Sequence, residues 1–195
     1  MQIPAPNHSA DDSIRNPVDL AHLMGLLAKP LDEAGVRNMF MRLNQDKEPE
    51  AHILGNVSVG ESRTYYFPGA GVTVCATDYS GAGQRIGIVT LAGKTRKVIR
   101  DGREYVFQPF RGMLPLSLKW GELRADILKR LGRPIMSNEG ISLSDRPKSP
   151  IQESRDADEF RDGMVIIRLI YSDPLEGPSL LEEIDFQRIL VPKRP

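Results

Sequence analysis

The chain has 195 residues, and 26 Lys+Arg against 26 Asp+Glu give it a formal net charge of zero. At roughly 150 residues per domain, that is one domain or two small, intimately packed ones. Hydrophobic residues make up 40% and charged residues 27%, which excludes wholesale disorder, and the even charge argues against a general nucleic-acid coat or a polybasic membrane adaptor.

A single cysteine, Cys75, rules out an intramolecular disulfide and any multi-cysteine metal site within one chain. The first residues carry neither a cationic n-region nor an apolar h-region, and no apolar run approaches the ~18 residues that span a bilayer. The expectation is a protein of the reducing cytosol, without membrane contact.

Residues 1–16 are polar and proline-interrupted and read as a mobile tail. From Asp19 the pattern is helical, with Leu20, Leu23, Met24 and Leu27 on one face until Lys29-Pro30. Asp32 sits where an N-cap belongs, and Val36, Met39, Phe40 and Leu43 form the stripe of a second helix. The period then changes to two. Residues 64–67, 72–76 and 85–91 read as antiparallel strands separated by glycine-rich turns. Arg96–Arg100 and Arg103–Phe107 flank Asp101-Gly102, a strong hairpin signal that sets Val98 opposite Tyr105. A further helix carries Leu123, Ile127, Leu128 and Leu131 and stops at Gly132. Residues 144–162 read as a long polar loop, Val165–Tyr171 as a buried strand and residues 184–191 as the last strand.

The order of helix followed by meander occurs twice. Leu131 stands 88 positions after Leu43, Gly163 stands 92 after Gly71, and Ile184 stands 98 after Ile86. Offsets that grow only in the loops fit a duplication. The expected fold is α+β, one compact domain of two similar modules (17–109 and 110–195), each a short helical segment packed on an antiparallel meander.

Phe110-Arg111-Gly112-Met113-Leu114-Pro115-Leu116-Ser117-Leu118-Lys119-Trp120-Gly121, running into Glu122-Leu123-Arg124-Ala125-Asp126-Ile127 and then Leu131-Gly132-Arg133-Pro134, resembles a signature of small bacterial modules. Its Gly-x-x-Arg-x-Asp-Ile core and Leu-Gly-x-Pro stop are similar to the SmpA/OmlA outer-membrane lipoproteins and to the repeated modules of β-lactamase inhibitor protein. The chain departs from the lipoproteins in lacking a signal sequence and a lipobox cysteine. Tandem modules of this kind without a signal peptide resemble immunity proteins that neutralise bacterial toxins. Read as residues, the signature is mostly scaffold: Gly121 for a tight turn, Trp120 to cover the sheet end, Leu131 to close the helix onto it.

Catalytic constellations are absent from the pattern. His8, His22 and His52 have no metal-ligand spacing and read as surface or capping residues. Gly93-Lys94-Thr95 lacks the glycine that a phosphate loop needs at position 88, and Cys75 has no local cation to make it a thiolate, so it reads as buried and structural. Two charge clusters remain. Glu153, Asp156, Asp158, Glu159 and Asp162 form an acidic loop, a candidate partner-binding surface or, alternatively, the carboxylates of a hydrolase. Lys94, Arg96, Lys97, Arg100 and Arg103 with Tyr105 and Phe107 form a basic hairpin able to track a nucleic-acid strand, or simply to protect a sheet edge. The leading expectation is a non-catalytic inhibitor, an immunity protein covering a toxin's active site through the acidic loop, with no metal and no cofactor.

Overall fold

Alternating β-branched and aromatic residues make strands the main regular structure of the chain. The structure, a computed structural model, describes residues 19–45, 49–57, 60–78, 83–138, 155–173 and 177–188. Helices α1 (Leu20–Met24) and α2 (Ala34–Leu43) precede strands β1 (Ala51–Val57), β2 (Gly60–Phe67), β3 (Val72–Thr77) and β4 (Arg85–Ala92). A hairpin of β5 (Arg96–Arg100) and β6 (Arg103–Phe107) follows. Then come α3 (Arg124–Leu131), β7 (Met136–Asn138), β8 (Ala157–Asp162), β9 (Val165–Tyr171) and β10 (Leu181–Arg188).

Eight strands make one sheet in the order β1-β2-β3-β4-β10-β9-β8-β7, with β5 and β6 paired separately. The fold is α+β, mostly antiparallel sheet with few helices. At the centre β4 and β10 run antiparallel, Leu91 opposite Ile184 and Val89 opposite Phe186. Those four side chains join Leu23, Val36 and Phe40 of the first half and Ile127, Leu169 and Tyr171 of the second in one apolar cluster. Each such burial is worth about 1.5–3 kcal/mol, so the cluster that the helices close on one face of the sheet binds the two halves together. Among the described residues no helix is long and apolar enough to cross a membrane.

The hairpin forms as its turn chemistry dictates. Asp101 and Gly102 both have positive φ (50° and 73°), the geometry that twists with the strands, and Val98 faces Tyr105. Helix α1 is shorter than its stripe implies. It ends at Gly25, and residues 28–31 instead pair with the start of β4, Ala28 N donating to Ile86 O and Ile86 N to Lys29 O. Asp19 caps α1 by accepting from Ala21 N. Asp32 does not cap α2, whose N-cap is Glu33, without a side-chain capping bond.

The expected polar loop is corrected in its last part, because Ala157–Asp162 is strand β8, paired with β9 from Ala157 opposite Ile170 to Asp162 opposite Val165. The repeat offsets hold at their anchors, Gly71 and Gly163 both having positive φ and Ile86 and Ile184 both being buried, but not along the strands that follow. A shift of 92 lays buried Val72 on exposed Met164, and a shift of 98 lays half-buried Ile88 on fully buried Phe186. Strands have period two, so an odd error exchanges the faces. Residues 1–16 and 189–191 of the expectations lie outside the described residues.

Candidate protein-binding face

The acidic residues singled out in the sequence divide between two environments. Asp158 is fully buried and Asp156 nearly so, both on the helix-covered side of β8 and both held by Arg124 at the start of α3. Arg124 Nε donates to Asp158 Oδ2 at 2.8 Å and Nη2 to Asp158 Oδ1 at 2.9 Å, a bidentate pair, while Nη1 reaches Asp156 Oδ2 at 3.4 Å. Ser137 donates to Asp158 Oδ1 at 2.6 Å and Ser179 to Asp156 Oδ2 at 2.9 Å. Burial alone would raise the Asp158 carboxyl, but the bonds from Arg124 and Ser137 outweigh it and hold the group below the ordinary carboxylate range. Beside it, burial and the Asp158 charge push the Tyr171 phenol well above its ordinary value, so it stays neutral.

This corrects the expectation of an acidic contact surface at Asp156 and Asp158: their charge is spent on Arg124, the arginine of the Gly-x-x-Arg signature. The arrangement gives no general acid either, since that role needs a raised carboxyl pKa with a free oxygen. Glu159 is half-buried on the opposite face of β8, Asp162 is exposed at the end of the strand, and Glu153 lies outside the described residues.

The basic hairpin is corrected in the same way. Lys94 pairs with Glu182 at 2.6 Å, Arg96 with Glu183, Lys97 with Glu104 at 3.1 Å and Arg103 with Glu50. Phe107 is fully buried and Tyr105 half-buried, so neither ring is offered for a base to stack on. His52, expected as a surface histidine in a loop, is buried in β1 between Asp101 and Tyr105 of the hairpin. Nothing near position 52 in the sequence announces partners 49 and 53 residues away. Cys75 is half-buried rather than buried, on the sheet face away from the helices. Among the described residues no group of three or more His, Cys, Asp or Glu could hold a metal.

That outer sheet face is the feature the sequence did not reveal. Its lower row, Ala157, Ile170, Glu183 and Ala92, is buried, with Arg96 and Arg155 paired to Glu183. Above it a continuous cross-strand row runs Met136, Glu159, Arg168, Asp185, Thr90, Thr73, Tyr66 through seven strands, each residue opposite the next. Six strand spacings make it about 29 Å long. Met136 is exposed and the other six are half-buried. Glu159 and Arg168 form a long ion pair at 3.9 Å, and Thr90 donates to Asp185 at 2.6 Å. The next row adds Cys75, Ile88, Gln187, Ile166 and Arg161. A surface of isoleucines, threonines, one tyrosine and interleaved opposite charges suits a protein partner better than a polyanion or a small substrate.

Comparison of the chain with protein-family models, with curated proteins and with solved structures finds no match.

Proposed function

We propose that this chain is a non-catalytic protein-binding inhibitor, an immunity protein that neutralises a bacterial toxin by covering its active site, and that it does so with the outer face of its sheet. The observation that carries the reading is the row from Thr73 to Met136, half-buried residues with exposed Met136 at its end, beyond the hairpin that covers Tyr66. The apolar cluster shared with the helices lies on the other face, yet this one carries half-buried Ile88 and Ile166 among paired charges. The resemblance of residues 110–134 to tandem inhibitor modules supports it independently. Of the acidic residues first considered, Glu159 is the one among the described residues that lies on this face. In the same reading the halves descend from one helix-plus-meander module, β1 to β4 and β7 to β10, joined edge to edge at β4 and β10.

Co-expression with the product of the adjacent gene tests this. The expected result is a stable complex and protection of the host from toxicity; no complex and no protection would overturn it. Ile166→Asp, which puts a charge in the middle of the face, is expected to weaken binding by about 2 kcal/mol or more, roughly thirtyfold in Kd. Asp162→Asn at the strand end is expected to leave Kd within about twofold, since rim charges contribute little. Equal losses at both positions would place the contact elsewhere.

A further inference from the structure

The hairpin docks on the outer face of β1 and β2 through a cluster that meets the proposed binding face at Tyr66. Asp101 at the turn accepts from His52 Nδ1 at 3.1 Å, and Tyr105 Oη lies 2.8 Å from His52 Nε2. A carboxylate on Nδ1 fixes the proton there, so Nε2 keeps its lone pair and the Tyr105 hydroxyl donates to it. A nucleophile, a base within hydrogen-bond reach and a third group that orients the base make the arrangement that activates hydroxyl nucleophiles. The neighbouring Arg100 adds a separate observation. It alternates with Val98, the residue facing Tyr105, and so lies on the same side of the hairpin, and its buried Nε–H has no hydrogen-bond partner among the described residues. That is a cationic donor available to an oxyanion.

We infer that Tyr105 is a modification site, a nucleophilic tyrosine that accepts an acyl group from an activated ester or thioester, with His52 as its base and Asp101 as the positioning residue. Oη attacks the carbonyl carbon. The new O–C bond forms, the bond from that carbon to the leaving oxygen or sulfur breaks, and its electron pair departs with the leaving atom. The phenolic proton goes to His52 Nε2 and from there to the leaving group, while Arg100 faces the oxyanion formed in between. Asp101 is 63% exposed, so the cluster opens to solvent at the hairpin tip. The groups facing His52 are Asp101, Tyr105 and the Tyr66 ring 5.0 Å away, with the charges of Arg100 and Arg96 acting on Tyr66.

The test uses the full chain and p-nitrophenyl acetate, following nitrophenolate release and mapping acetyl groups by mass spectrometry. Tyr105 is expected to acetylate about a hundredfold faster than the other four of the protein's five tyrosines. His52→Gln keeps one donor and one acceptor for Asp101 and Tyr105 but has no base, and should lose most of the advantage. Acetylation confined to lysines, a Tyr105 no faster than its fellows, or a rate unchanged in His52→Gln would each overturn the proposal. If that variant does not fold, the comparison among the tyrosines of the unaltered protein decides the matter.

Discussion

Replacing Arg124 by Met is expected to destabilise the protein by about 3–5 kcal/mol, among the largest effects of any single substitution in the chain. Methionine matches the aliphatic stem but leaves Asp158 fully buried without its bidentate cation, and it deprives Asp156 of the same partner. Ser137 and Ser179 remain as donors and cannot neutralise either charge. Packing changes little, so the loss is electrostatic and carries a pH signature. Asp158 is held below the ordinary carboxylate range, so in the unaltered protein its contribution is present above pH ~4 and disappears as pH falls through its lowered value. In the variant the unpaired carboxyl is raised instead, and its penalty is full at neutral pH and relieved on acidification. The stability gap between the two proteins should therefore narrow from pH 7 to pH 4.5, as read from urea midpoints. A gap that is constant across that range would mean that the cost is packing and not charge. Adding Asp158→Leu to Arg124→Met should recover part of the loss, because a buried pair replaced by apolar groups costs less than a buried pair broken.

The same pair shows where sequence reading succeeds and where it stops. Strands β3, β4 and β9 were legible because their buried residues alternate or run together in β-branched types, and the hairpin because Asp-Gly fixes its register. Strand β8 reads Ala-Asp-Glu-Phe-Arg-Asp, and an aspartate at an inward position contradicts the alternation rule. It is a strand because a cation from α3, 34 residues earlier, makes that position tolerable. Long-range charge pairing leaves no local trace, so the acidic run looked like a solvated loop. The arginine that cancels it was visible inside a recognisable motif, but its partner was not.

The proposed binding face was hidden for a different reason. Each member of the row from Tyr66 to Met136 is unremarkable on its own strand, and only the registers of six pairings align them. Period-two patterns tell which residues share a face and not which strands are neighbours. Pairing β4 with β10 joins residues about 95 positions apart, and that step turns two meanders into one surface. The two opposed charge poles suggested by the sequence are reduced for the same reason, since Asp156 and Asp158 are matched by Arg124, and Lys94, Arg96 and Arg103 by Glu182, Glu183 and Glu50.

Gly71→Ala is the second substitution of large expected effect, about 2–5 kcal/mol, and its cause is geometric. Gly71 has φ 68° and ψ 30°, the left-handed conformation, which costs a residue with a Cβ about 1–2 kcal/mol. A Cβ there would also lie 2.3 Å from Gln108 O and 2.6 Å from Phe110 N. Both are backbone atoms, so no rotamer change relieves the contact, and overpacking adds about 1–3 kcal/mol. The segment cannot simply retreat. Gln108 N donates to Pro68 O, Phe110 N to Ala92 O and Ala92 N to Gly71 O, a set of bonds that brings the chain back across the ends of β3 and β4 after the hairpin. Phe110 O then accepts from the Trp120 indole at 3.0 Å, so the strain is transmitted toward the start of α3. Gly102→Ala is the control. Its φ is 73°, but nothing lies within 4 Å of the added carbon, so it should show the conformational cost alone. The difference between the two unfolding free energies isolates the close approach, and hydrogen exchange should place the extra loss in residues 103–110. Equal costs at the two glycines would show that the crossing segment yields, and that the junction between the halves is held by the shared sheet and core and not by this contact.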